Sequence, residues 1–120
     1  MGISNDSIDQ IKLEVINCKL CNLCINRTNA VPGDGNPKAN IMFIGEAPGR
    51  NEDEKGKPFV GMAGKILDEA LAKVGLVRSR IYITNIVKCR PPSNRVPTED
   101  ERRVCKSYLE REISIVSPKI

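Results

Sequence analysis

Two short apolar runs, each followed by a helical pattern, constrain this chain more than any other feature. IMFI (residues 41–44) is apolar at every position, and IYITNIV (residues 81–87) is β-branched and nearly so. Strands apolar on both faces belong to parallel sheets covered by helices. After the first run, Ile66, Leu67, Ala70, Leu71 and Val74 recur at helical spacing, and Gly75 stops the pattern. After the second, Thr98-Glu99-Asp100-Glu101 reads as a capping box. Val104, Cys105, Tyr108, Leu109, Glu112, Ile113 and Val116 then continue as a helix. Ahead of both, Ser7-Ile8-Asp9-Gln10 is another capping box, with Ile8, Ile11 and Val15 on one helical face. The order α, β, α, β, α predicts an α/β fold, a parallel sheet with right-handed crossovers and helices on both faces.

Two strands are too few for a stable sheet, and Ser117-Pro118-Lys119-Ile120 has the look of a lead-in to a third. Residues 1–120 are therefore expected to form a single domain that is the front portion of a larger one. The N-terminus has neither the basic start nor the apolar stretch of a signal peptide, which predicts an intracellular protein. The apolar runs are too short to span a bilayer, so no membrane partner is expected. A net charge of +4 permits a nucleic-acid partner without requiring one. Histidine is absent, which removes Ser-His and Cys-His nucleophilic pairs and every His-containing zinc site.

Between the first strand and its helix runs GEAPGRNEDEKGKPFVGMAG, residues 45–64. Such connections commonly take about 2–6 residues. Ligands of open α/β sheets bind beyond the carboxyl ends of the strands, so a loop this long is expected to build a pocket wall there. It is no phosphate loop, because Phe59 and Ile66 stand where that motif requires Gly and Ser/Thr.

This loop, TNIVKCRPPSNR (residues 84–95), CKLC upstream and Cys105 downstream together resemble the family 4 uracil-DNA glycosylases, the iron–sulfur members of their superfamily. The resemblance runs from about Cys18 to Ile120 and covers only the front of that family's pattern. It implies a DNA repair enzyme that hydrolyses the N-glycosidic bond of uracil and leaves an abasic site. Gly45-Glu46-Ala47-Pro48-Gly49 would be the water-activating motif, with Glu46 and Glu52 the acidic groups and Gly45 and Ala47 lining the base site. Phe59 would stack on the flipped uracil and Asn85 would read its amide edge, a division of labour that base flipping requires. Read without the resemblance, Phe59 is a core residue and Glu52 belongs to a charge run, Glu52-Asp53-Glu54, of the kind that usually faces solvent.

The resemblance also implies a [4Fe–4S] cluster on Cys18, Cys21, Cys89 and Cys105, leaving Cys24 as a small buried residue. Four thiolates equally suit zinc, and spacing does not separate the two metals. Lys88, Arg90 and Arg95 lie on a proline-stiffened loop beside the expected pocket, where phosphates of single- or double-stranded uracil-containing DNA would pass. A cytoplasmic monomer of prokaryotic type is expected. The alternative is a truncated or non-catalytic DNA-binding iron–sulfur module, including one associated with a DNA polymerase.

Overall fold

The computed structural model describes residues 6–20 and 22–120. Helix α1 (Ile8–Ile16) begins where the Ser7 hydroxyl accepts the Gln10 N–H at 3.1 Å, one half of the expected capping box, while the Ser7 N–H donates to Asp6 Oδ1 instead of the Gln10 side chain. A single turn, α2 (Leu23–Asn26), follows. The strands are β1 (Asp34–Gly35), β2 (Met42–Gly45) and β3 (Tyr82–Asn85). Helices α3 (Arg50–Lys55) and α4 (Met62–Lys73) lie between β2 and β3, and α5 (Glu99–Val116) follows β3. At the start of α5, Thr98 and Glu101 exchange both hydrogen bonds of the predicted capping box.

Strand β2 pairs with β3 in parallel, Met42 opposite Tyr82 through Gly45 opposite Asn85. Side chains of β3 alternate between two apolar clusters, one on each face. Tyr82 joins Ile8, Ile11, Val15, Tyr108 and Val116 beneath α1 and α5. Ile81 and Ile83 join Leu67 and Leu71 of α4. Ile11 and Val15 are almost wholly buried, each burial worth about 1.5–3 kcal/mol. The expected α/β architecture, with helices on both faces, is present.

Three local expectations change. The sheet is mixed, in the order β1-β3-β2, rather than purely parallel, because Asp34 and Gly35 pair antiparallel with Ile83 and Tyr82. Gly35 has φ +122°, and a side chain there would strike the Ile81 carbonyl, so that crossing needs glycine. The central strand is β3, buried throughout, whereas Ile44 of β2 is 46% exposed. On α4 only Leu67 and Leu71 of the predicted stripe face the core, while Ile66 and Val74 point to solvent.

Along the other edge of β2, the Ile120 N–H donates to the Asn40 carbonyl and the Met42 N–H to the Ile120 carbonyl. These two bonds form a parallel bridge about Ile41. Among the described residues no helix is long and apolar enough to cross a membrane.

Candidate active site

Parallel register sets Gly45 beside Asn85 at the carboxyl edge of the sheet. The pairing runs one step further, the Ile86 N–H donating to the Gly45 carbonyl and the Val87 N–H to that of Glu46. A cavity of about 110 Å³ opens at this point. It is lined by Gly45, Glu46, Ala47, Glu52, Phe59 and Asn85, the six residues expected from the sequence, together with Ala63. Gly45 is forced by the crowding: a side chain would run into Asn85 Oδ1 and come within 2.8 Å of the Phe59 ring.

Asn85 is 3% exposed, yet among the described residues no protein group hydrogen-bonds its side-chain amide. Every described side-chain polar atom sealed from solvent has a partner, so this amide opens onto the cavity. Glu46 is exposed at the rim, and its carboxylate has no hydrogen-bond or ion-pair partner among the described residues. A buried amide and an unengaged carboxylate thus face one small space.

Glu52 differs sharply from Glu46. One of its oxygens accepts the Gly49 N–H at 3.0 Å, and the other accepts those of Val60 and Gly61 at 2.9 and 2.8 Å. Burial alone would raise its pKa, but the backbone donors of Gly61, Val60 and Gly49 outweigh it and hold the carboxyl below its ordinary range. Glu52 therefore braces the loop at α3. Its neighbour Asp53, 4% exposed, accepts the backbone N–H groups of Thr28 and Asn29. Of the charge run, only Glu54 is a solvent-facing residue, paired with Arg50.

Phe59 is only partly buried and has φ 54°, a conformation bulky residues seldom adopt. Arg78 reaches the carbonyl oxygens around it. Its Nη1 donates to Pro58 O at 3.3 Å, its Nη2 to Phe59 O and to Gly64 O, and its Nε to Asp68 Oδ1 at 2.5 Å.

Lys88 is not the exposed phosphate contact that its loop suggests. Lys88 is 1% exposed and donates all three protons internally, to Thr84 Oγ1 at 2.5 Å, Asn85 O at 2.6 Å and Glu112 Oε1 at 2.5 Å. Burial pulls its pKa below the usual lysine range, against the opposing pull of Glu112. A cation so enclosed does not reach DNA. Arg95 forms a two-point pair with Glu101, at 2.7 and 2.8 Å, and so serves the start of α5. Arg90 is half-buried and donates from Nε to Asn94.

Among the cysteines, Cys89 and Cys105 are buried and Cys18 and Cys24 half-buried, while Cys21 lies outside the described residues. Arg27 Nη1 donates to Cys89 Sγ at 2.9 Å. Burial acts against the Arg27 cation, yet Cys89, Cys24 and Cys18 around it raise its pKa. Tyr108 is pushed up by burial, by its hydrogen bond with Cys18 and by nearby Cys105. Among the described residues, no three of the Cys, Asp and Glu side chains stand in a metal-ligating group.

Residues 32–120 match the family described as the uracil DNA glycosylase superfamily. The chain belongs to that superfamily. It is 60% identical over 116 residues to the type-4 uracil-DNA glycosylase of Sulfurisphaera tokodaii, covering 96% of this chain and 53% of that one. Identity to the type-4 enzyme of Archaeoglobus fulgidus is 53% over 115 residues, covering 96% and 58%. Against that of Thermotoga maritima it is 48% over 120 residues, covering 100% and 62%. The chain thus spans little more than half the length of these relatives.

Two parts of this superfamily member's site escape its motifs. Arg78 binds carbonyl oxygens, a role no short pattern encodes. The Lys88–Glu112 pair was partly readable, because Glu112 occupies the same buried helical stripe as Cys105, Tyr108 and Val116. A carboxylate on a buried face calls for a cation.

Proposed function

We propose that the chain carries the base-capture and water-activation site of a DNA repair uracil-DNA glycosylase, whose partner is uracil-containing DNA. The observation behind this reading is the convergence of Glu46, Phe59 and Asn85 on one cavity at the carboxyl edge of the sheet. In the reaction, water adds to the sugar carbon as the bond to uracil breaks, and the leaving base carries the electron pair. The unengaged Glu46 carboxylate orients that water and offsets the cationic sugar. Phe59 supplies the stacking face, and the Asn85 amide pairs with the amide edge of the flipped base. Glu52 acts by bracing the loop, since its oxygens already hold three backbone donors.

We assign a [4Fe–4S] cluster to Cys18, Cys21, Cys89 and Cys105. The donor chemistry fits: the thiols come from three separate segments, no histidine competes, and Arg27 donates to the Cys89 sulfur as it would to a ligating thiolate. Such a group would tie the α1 end, the loop after β3 and α5 together, and no step of hydrolysis passes through it. Anaerobically purified protein should contain iron and sulfide at about four each per chain. Cys89→Ala should lose them and Cys24→Ala should keep them. Stoichiometric zinc in their place would overturn the assignment.

The catalytic reading is tested with an oligonucleotide carrying one uracil, assayed single- and double-stranded for abasic product. Glu46→Gln should lower excision about 10²–10³-fold, the scale for losing one preorganised electrostatic group. Binding of uracil DNA without abasic product would favour the non-catalytic module, which the chain's partial coverage of its relatives keeps in view. Unchanged excision after Phe59→Ala and Asn85→Ala would place the base elsewhere.

A further inference from the structure

We infer that Arg78 is a positioning residue, its guanidinium holding residues 58–61 so that the Phe59 ring stands in the cavity. This rests on the proposed stacking role of Phe59. The case begins with the backbone: φ 54° at Phe59 persists only if its surroundings impose it. The peptide group between Phe59 and Val60 is gripped at both ends. Its carbonyl accepts from Arg78 Nη2, and its N–H donates to Glu52 Oε2 at 2.9 Å. The preceding carbonyl, that of Pro58, accepts from Arg78 Nη1 at 3.3 Å. A peptide plane fixed through both donor and acceptor cannot rotate, so the torsions on either side of the Phe59 Cα are set.

The remaining contacts orient the guanidinium. Asp68 on α4 takes Nε at 2.5 Å, and the Gly64 carbonyl takes Nη2 at 3.4 Å. Close approach of α4 depends on Gly64, where a side chain would collide with the Phe59 carbonyl. Four acceptors shared among three guanidinium nitrogens suit an arginine fork, and a lysine ammonium, with three protons on one nitrogen, cannot span them. Arg78 belongs to neither apolar cluster. Its loss should therefore free the loop while leaving the core packed.

The chain has only two phenylalanines, Phe43 and Phe59, so 4-fluorophenylalanine labelling gives two fluorine resonances. In Arg78→Lys the Phe59 line should shift and broaden while the Phe43 line and Tm stay in place. Asp68→Asn should do the same to a smaller extent. Affinity for a uracil-containing oligonucleotide should fall about tenfold in Arg78→Lys, within the range of one base–aromatic stack. Affinity for the matching thymine oligonucleotide should not change.

An unmoved Phe59 line in Arg78→Lys would overturn the inference. So would both lines and Tm moving together in both variants, which would make Arg78 a general stabiliser. Should Arg78→Lys not fold, Asp68→Asn decides by the same two lines. If the fluorine response is as expected but the parent protein does not distinguish uracil from thymine, the stacking role fails while the backbone clamp stands.

Discussion

The two walls of the cavity are held by opposite means. On the loop side, the backbone at Phe59 is fixed by groups that keep contact with water, with Arg78 30% exposed and Glu52 half-buried. On the sheet side, Asn85 rests on an ion pair with almost no exposure, Lys88 at 1% and Glu112 at 0%. Burying two charges is expensive, and the cost is offset only when every donor and acceptor is matched. Here they are matched. Lys88 spends its three protons on Thr84, Asn85 and Glu112, while Glu112 also accepts from Tyr82 Oη at 2.7 Å and from Thr84 Oγ1. The loop wall can be loosened one bond at a time, whereas the sheet wall stands or fails as a unit.

The largest effect should follow from splitting the buried pair. Glu112→Ala leaves an uncompensated ammonium in the core and should cost about 3–5 kcal/mol in urea denaturation at neutral pH. Replacing both partners, as Lys88→Met with Glu112→Leu, should recover most of that loss. It should also leave the Asn85 carbonyl without its donor. A small effect of Glu112→Ala would mean that the sheet wall draws its rigidity from strand pairing alone, and the contrast between the walls would disappear.

Much of this arrangement was legible in the sequence, and the remainder was hidden for identifiable reasons. Parallel strands were readable from their apolar runs, and parallel register alone carries Gly45 and Asn85 to one edge. The loop's length announced a pocket wall, but Phe59 and Glu46 were legible as site residues only through the family resemblance. Lys88 was misread because its neighbours, CRPPSNR, describe a solvent loop, while its partner lies 24 residues away on α5. Strand β1 was invisible because two residues have no period. The bracing role of Glu52 depends on backbone N–H groups eight and nine residues further on, which side-chain patterns do not report.

The loop wall should respond less. Glu52→Gln replaces a charged acceptor of three backbone donors with a neutral amide that has one oxygen. Hydrogen bonds to charged groups are worth about 1.5–3 kcal/mol, and a loss of that order is expected by urea denaturation. A loss as large as that for Glu112→Ala would show the two walls to be equally cooperative.

Where the walls meet, Gly45→Ala should act on both. The added methyl would displace the Asn85 amide and the Phe59 ring, costing about 1–3 kcal/mol as overpacking does. Its sharper signature should be functional, because the cavity closes. Binding of uracil DNA should be lost while the protein still unfolds cooperatively. Retained binding with lowered stability would show that the base does not enter between these two side chains.

The smallest effect concerns the start of α5, the helix that delivers Glu112 to Lys88. Glu101 accepts two bonds from Arg95 and one from the Thr98 N–H. The Arg95 guanidinium, ahead of the opposing effect of burial, lowers its carboxyl from 4.5 to about 2. A carboxyl with a depressed folded-state pKa stabilises the fold above its unfolded value, and that contribution fades as pH falls through the folded one. Glu101 should therefore contribute fully above about pH 4.5 and lose its contribution between there and about pH 2. Because Arg95 is 42% exposed, solvent screening keeps the pair's contribution small. Urea denaturation of the parent and of Glu101→Gln at pH 6, 4, 3 and 2 should show a gap that closes toward the acid end. A gap constant with pH would assign the stabilisation to the neutral cap geometry, which glutamine retains in part, and would leave Arg95 available to DNA phosphates.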